Sequence, residues 1–512
     1  KMISPNQILT LAAFLVLAVS LSASADEATD ASKSTTVSEA GAAEEATMFP
    51  VEDYSGAFGA RSRLTGDWGG GRTWLAEHGL QVELNINQVY YDIVDGGKTS
   101  GSEYGGNAEL VLKFDSQKMG LWPGGFLFIR AEQFFEDSIN SQTGALMPVN
   151  TVSLFPEPAD NDLALSHFQL TQFLSPHLAL SLGKLDTSVG DMNEFAHGRG
   201  DTKFMNTAFS FNPVIAMTAP YSTLGAALII IPNEKAMITF SAIDTEGSAM
   251  TSGFDTVFDE GTTYVGELRI TTNFFGQPGH QTFGAAYSND EFFALNDVID
   301  VSIPRLLGRT GGEYSDSSDS RNLLRRLVES RIPGAEQAGE VLDSDLALFQ
   351  RGSLVRRLAK PVVDDIVNKA MTTLYVNRID TESSSWAVYY NFDQYLYTEA
   401  EDPAQGVGIF GRIGFADEDT NPIEAFYSIG VGGKGLIPTR DLDRFGIGFY
   451  YMDMSDDLPK LLRFSHEQGF ELFYDFAVTP WLRVTPDIQI INPASDGNDT
   501  TVVWGIRTLI RF

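Results

Sequence analysis

An all-β chain forming a transmembrane antiparallel β-barrel of about 16 strands, with a long, partly helical extracellular or lumen-folded loop, is the fold the sequence predicts. Three observations predict it. Apolar and polar residues alternate with period two in segment after segment, which is the side-chain period of a strand. Past the N-terminal region no stretch approaches ~18 consecutive apolar residues, the length that a spanning helix requires. Short turns alternate with longer polar or acidic excursions, an asymmetry expected when one end of a barrel carries tight turns and the other carries loops.

The composition agrees and narrows the classes. The 512 residues are 43% hydrophobic and 20% charged, with 48 Gly and 35 Phe. Glycine and aromatic richness with finely interleaved polarity suits turn-rich β structure. There is no Cys, which excludes a disulfide framework, thiolate metal sites and a cysteine nucleophile. Against 68 Asp+Glu stand 35 Lys+Arg, a net charge of -33 that repels nucleic-acid phosphate.

Taken in order, residues 1–25 read as a secretory signal peptide. The apolar run Ile8 to Leu21 follows Lys1 and precedes Ala23-Ser24-Ala25, a small-x-small cleavage pattern. A membrane anchor would need a run of ~20 residues. Residues 26–63 form an acidic segment, with too few large apolar side chains as far as Asp53 to offset ordering entropy, and a flexible tail is expected. Any short helix around Ser38 to Met48 reads as a solvated spacer. Residues 64–512 are the barrel. Export without cysteine fits the outer membrane or periplasm of a Gram-negative bacterium.

Alternation defines strands at approximately 79–91, 106–115, 124–134, 162–172, 178–186, 223–232, 236–245, 263–274, 281–289, 385–397, 406–416, 424–434, 445–454, 469–479, 482–491 and 502–512. The first sets Leu80, Val82, Leu84 and Ile86 against Gln81, Glu83, Asn85 and Asn87. The last sets Trp504, Ile506, Thr508 and Ile510 against Gly505, Arg507, Leu509 and Arg511. Charged side chains facing inward, with apolar bands outside, require lipid around the barrel. The pairs Tyr90 and Tyr91, Tyr389 and Tyr390, and Tyr450 and Tyr451 suit interfacial girdles.

Strand patterning stops across the insertion 291–384. Within Ser320 to Tyr375, Leu354, Leu358, Val362, Ile366 and Ala370 recur every four residues around Pro361, a helical stripe. Arg321, Arg325, Arg326, Arg331, Arg351, Arg356, Arg357 and Lys360 make it locally basic. Two placements are compatible with this: a helical cap over the barrel mouth, or a segment folded into the lumen that narrows it.

Several motifs stand in order along the chain. LTGDWGGGRTWLAEHGL (Leu64 to Leu80), GKLDTSVGDMNEFAHG (Gly183 to Gly198), FMNTAF (Phe204 to Phe209), GIFGRIGFAD (Gly408 to Asp417), GLIPTRDLDRFGIGFY (Gly435 to Tyr450) and the closing stretch from Glu471 to Phe512 resemble the carbohydrate-selective outer-membrane porins of the OprB type. The resemblance covers 64–290 and 384–512; the insertion and the acidic tail fall outside it. It implies passive diffusion of mono- and small oligosaccharides through a water-filled barrel, with no cofactor and with outer-membrane lipid as surroundings. Whether the barrel is a monomer or a trimer stays open.

Sugar passage needs a wet wall of hydrogen-bonding groups that hold solute weakly. Arg412, Glu471, Asp475, Arg483, Asp487, Gln489 and Arg507 are the inward candidates. Their competing role is pairing across strands to stiffen the wall. Asp67, Trp68 and Arg72 sit in the Gly-rich segment, either at the periplasmic mouth or closing the barrel. Alternatives to a sugar channel are a general or ion-selective porin and a soluble secreted sugar-binding β protein.

No enzyme is expected. The six His (His78, His167, His177, His197, His280, His466) show no HExxH spacing, and no GxSxG elbow occurs. A Ser-His pair such as Ser166 and His167 beside a distant acid would leave no sequence signature. Asp316 to Ser320 is too irregular for a calcium loop.

Overall fold

The computed structural model describes residues 48–156, 162–216, 218–295, 381–458, 464–495 and 497–512. The residues read above as a signal peptide (1–25), as a flexible tail upstream of Met48 and as a basic helical stripe (Ser320 to Tyr375) lie outside the described residues.

Sixteen strands close into one antiparallel barrel. They are β1 (Leu80–Asp95), β2 (Ser102–Asp115), β3 (Gly125–Glu136), β4 (Ala164–Ser175), β5 (Leu178–Asp186), β6 (Ser222–Asn233), β7 (Ala236–Asp244), β8 (Thr262–Phe274), β9 (Gln277–Ser288), β12 (Ser385–Thr398), β13 (Gly406–Ala416), β14 (Ile423–Lys434), β15 (Arg444–Met454), β16 (His466–Thr479), β17 (Leu482–Asn492) and β18 (Thr501–Arg511). The short pair β10 (Phe292–Phe293) and β11 (Thr381–Glu382) stands at the base of the insertion, and β9 pairs with β12 across it. The wall closes between β1 and β18, with Asn85 opposite Arg511 and Tyr90 opposite Ile506. All sixteen predicted segments are strands, their ends moved by four residues or fewer.

The strands hold because each has one face for each medium. On β17, Arg483, Thr485, Asp487 and Gln489 point inward and are buried, while Ile488 and Ile490 point outward and are 39% and 44% exposed. A water-soluble protein would reverse that order. Buried charge and exposed aliphatic surface are compatible only with an apolar medium outside the wall. Among the described residues no helix is long and apolar enough to cross a membrane; the crossing elements are strands.

The barrel ends differ as predicted. Turns 176–177, 234–235, 275–276 and 480–481 join strands at the end that also carries Leu80, Arg511 and helix α1 (Gly71–Glu77). Loops 137–163, 187–221, 245–261 and 289–384 join them at the other end. Loop 417–422 is shorter than turn 435–443, so the asymmetry is carried by those four loops.

Much of the apolar core lies inside the barrel. Segment 187–221 folds inward and carries Phe204, Phe209 and Val214 to complete burial against Phe410, Phe426, Tyr450 and Phe473 of the wall. Glycines make room for these rings. A Cβ on Gly408 would stand 2.4 Å from the Phe195 ring, and one on Gly448 would stand 2.6 Å from Phe209.

Two expectations are corrected here. Adjacent tyrosines cannot both reach lipid, because strand neighbours point to opposite faces: Tyr91, Tyr389 and Tyr450 are buried on the lumen side, where their hydroxyls bond Asp487, Glu267 and Glu467. The acidic N-terminal segment, expected to be flexible through residue 63, is ordered against the barrel from Met48 onward, with Phe49, Tyr54 and Arg63 buried. Average composition hid that these few large side chains each find a formed site.

Candidate functional site in the barrel lumen

Segment 187–221 crosses the lumen and is fastened around its wall. On the side of β2 to β5, Arg199 donates to Asp186 Oδ2 at 2.5 Å, to Glu132, and stands 3.3 Å from Glu109. Its guanidinium lies 3.9 Å over the Phe155 ring, and Arg130 also pairs with Asp186. On the side of β8, β12 and β13, Arg269 donates to Met192 O at 3.1 Å, Asn193 donates to Phe392 O at 2.8 Å, and Asn212 donates to Ile413 O at 3.1 Å. On the side of β16 to β18, the Glu471 carboxylate accepts the backbone N–H groups of Met205 (2.6 Å) and Asn206 (2.9 Å). Arg507 donates to Gly200 O (2.6 Å) and Lys203 O (3.1 Å).

The inward part of loop 137–163 joins it. Thr151 N donates to Met205 O at 2.8 Å and Thr207 N to Pro148 O at 2.9 Å. Glu467 accepts the N–H groups of Leu146 (2.6 Å) and Met147 (2.9 Å). Backbone groups without a ladder of their own are thus bonded by wall carboxylates and guanidinium groups, which is how irregular chain is tolerated at membrane depth inside a barrel.

The residues singled out in the sequence fall into three groups. Arg412, Glu471, Gln489 and Arg507 face inward and bond the inserted segments, and Asp487 faces inward beside them, bonded to the wall. Arg412 Nε reaches Asp191 Oδ2 at 2.6 Å. Asp487 accepts from Tyr91 Oη at 3.0 Å and from Gln489 Nε2 at 2.8 Å, and Gln489 Oε1 accepts from Asn206 Nδ2 at 2.9 Å. Asp475 and Arg483 pair across β16 and β17 at 2.8 Å, with Thr485 3.0 Å from the same carboxylate. Asp67, Trp68 and Arg72 lie at the turn end. Asp67 Oδ1 accepts from Thr73 N and Oγ1, both at 2.8 Å, and so ties down the first turn of α1. Arg72 donates to Val82 O (2.7 Å) and Phe512 O (2.6 Å), joining β1 to the end of β18, with Trp68 half-exposed beside it.

Sequence reasoning missed Arg130, Glu132, Asp186, Asp191, Arg199 and Glu467. Asp186, Asp191 and the residues just before Arg199 sit in the GKLDTSVGDMNEFAHG motif, so an ordered motif between strands was the available signal.

A cavity of about 40 Å³ opens between the inserted segment and the turn end of β12 to β15, lined by Glu194, Phe195, Lys203, Tyr395, Lys434 and Arg444 among others. Phe195 and Tyr395 meet edge to face at 4.8 Å, and Tyr395 Oη donates to Glu194 at 3.1 Å. Aromatic faces beside charged hydrogen-bonding groups provide both kinds of surface that a sugar ring presents.

At the loop end, Asp417 is raised to about 6, first by burial and then by the neighbouring Asp419 charge. A carboxyl raised in the folded state contributes stability that is fully present below its unfolded value, ~3.9, and lost as pH rises through about 6. Asp417→Asn is therefore expected to flatten the pH dependence of the guanidinium midpoint over that window. Identical pH profiles for wild type and variant would contradict the assignment.

A closed sixteen-stranded barrel with an apolar exterior, a charged lumen and an inward-folded segment defines a porin-type channel. The chain belongs to the carbohydrate-selective porin, OprB family, whose model matches residues 99–512. Porin B of Pseudomonas aeruginosa is 28% identical over a stretch covering 21% of this chain and 28% of Porin B, so the match spans under a third of that relative. A high-pH structure of Pseudomonas putida OprB shares the fold at a TM-score of 0.68 and 18% identity, over 89% of this chain and all of that one. A low-pH structure of the same protein is similar at a TM-score of 0.47 and 15% identity, over 89% of this chain and 99% of that one.

Proposed function

We propose that this chain is an outer-membrane channel through which mono- and small oligosaccharides diffuse passively. The observation that carries the reading is the family match over 99–512, which takes in fifteen of the sixteen barrel strands whole. The lumen supports it: guanidinium, carboxylate and amide groups surround the inserted segment, and the Phe195 and Tyr395 rings stand beside Glu194, Lys203, Lys434 and Arg444. Weak contacts of several kinds along one passage let a solute enter and also leave.

Liposome swelling with the refolded protein tests it, comparing glucose, a maltooligosaccharide and an uncharged amino acid of monosaccharide size. Faster sugar entry that saturates with concentration is expected. Uptake ordered by size alone would reduce the reading to a general porin, and no uptake would refute it.

A further inference from the structure

The N-terminal strap from Met48 to Arg63 lies inside the barrel, along the turn end of the lumen wall. The Phe49 ring is buried among Val111, Phe126 and Phe128, edge-on to Phe126 at 5.4 Å. Those three are lumen-facing positions of β2 and β3, where strand alternation otherwise places polar groups such as Asn107, Lys113, Arg130 and Glu132. An apolar socket at a wet face has a purpose once Phe49 fills it.

Polar wall residues secure the rest. Gln81 Nε2 donates to Phe49 O at 3.0 Å and Pro50 O at 2.9 Å, and Lys118 Nζ to Phe49 O at 3.3 Å. Arg63 holds Glu52 by two bonds, at 2.7 and 3.0 Å, and reaches Glu83 and Asn85, each at 3.4 Å. At the far end Trp481 Nε1 donates to Phe58 O at 2.7 Å, and the two rings meet at 5.0 Å. The strap thus runs from β3 past β1 to the turn between β16 and β17, covering Gln81, Glu83, Asn85 and Lys113. A peptide layer packed on a sheet stands ~10 Å from it, and a sixteen-stranded barrel is wide enough to keep an aqueous channel beside such a layer. The family match begins at residue 99, so the strap lies outside it.

We propose that the docked strap Phe49 to Arg63 is a specificity element that sets the upper size of saccharide admitted at the turn end of the channel. The proposal rests on the sugar-channel reading. The exposed side chains of the strap, including Val51, Asp53 and Phe58, then form the rim that a passing solute meets.

Deleting Phe49 to Ala60 from the full chain, and separately placing a charge in the socket with Phe49→Asp, test it by single-channel conductance and by liposome swelling with glucose and a trisaccharide. Heat-modifiable migration reports a folded barrel, and trypsin cleavage after Arg61 reports strap release in Phe49→Asp. The expected result is higher conductance and a higher trisaccharide-to-glucose ratio in both variants. A folded deletion variant, or a trypsin-released Phe49→Asp barrel, with wild-type conductance and size profile would overturn the size-limit role while leaving the channel reading intact. Absence of sugar uptake by wild type would instead overturn the channel reading, and the size assignment with it.

Discussion

Arg199→Ala is expected to free segment 187–221 from one side of the lumen, raising single-channel conductance while the barrel itself remains folded. The reason is charge balance. Arg199 and Arg130 together face Glu109, Glu132 and Asp186, and Glu132, Asp186 and both arginines are buried. Removing Arg199 leaves three carboxylates to one guanidinium in a site without bulk water. Breaking a buried ion pair from one side costs about 3–5 kcal/mol, because the partner charge keeps its desolvation penalty. The sixteen-strand ladder does not depend on this contact, whereas the path of the segment does, so relief comes from the segment moving and water entering. Arg199→Lys is expected to recover only part of the wild-type behaviour, since an ammonium cannot present a planar fork to Glu132 and Asp186 while lying flat on Phe155. Wild-type conductance and wild-type protease resistance of the segment in Arg199→Ala would refute the clamp.

The strand pattern was legible because its cause is local. Period-two alternation needs only a wall with lipid on one side and a polar lumen on the other, and each strand satisfies that within its own residues, as Gln81 to Ile86 do in β1. The direction of Glu471, Asp487 and Arg507 was legible for the same reason. The work of Glu471 and Arg507 was not, because their partners are backbone groups of Met205, Asn206, Gly200 and Lys203, more than 200 residues away on a segment with no periodicity. The alternative that such residues brace the wall is met by Asp475 with Arg483 and by Asp487 with Tyr91 and Gln489; the others brace the inserted segments. Asp67 and Arg72 illustrate an intermediate case, since their Gly-rich motif marked them, while the bond from Arg72 to Phe512 O needed the closed barrel to be seen. Phe49 escaped because a single large residue in an acidic segment carries little compositional weight, however well its socket fits.

Gly448→Leu is expected to dislodge the centre of the inserted segment. Gly448 faces the lumen from β15, and an added Cβ would meet the Phe209 ring at 2.6 and 2.8 Å and the Phe204 ring at 3.0 Å. Neither ring can turn aside: Phe204 and Phe209 pack on each other at 4.6 Å, and both pack on Phe410, at 5.3 and 6.1 Å. Overpacking of this kind costs about 1–3 kcal/mol. The wall cannot yield, since β15 is bonded on both sides to β14 and β16, so the displacement falls on the segment and is read as altered conductance and new protease sensitivity. The effect is steric, which makes it reversible in a defined way. Phe209→Ala in the same chain removes the obstructing ring, and the double variant is expected to be less perturbed than the sum of the two single changes, the signature of residues in direct contact. Gly497→Leu, on an exposed loop away from the segment, is the matching control, because a Cβ there would meet only Ser495 Oγ, at 3.7 Å. Additive effects in the double variant would mean that Phe209 does not rest on the wall at Gly448, and the inward seating of the segment would lose its main apolar support.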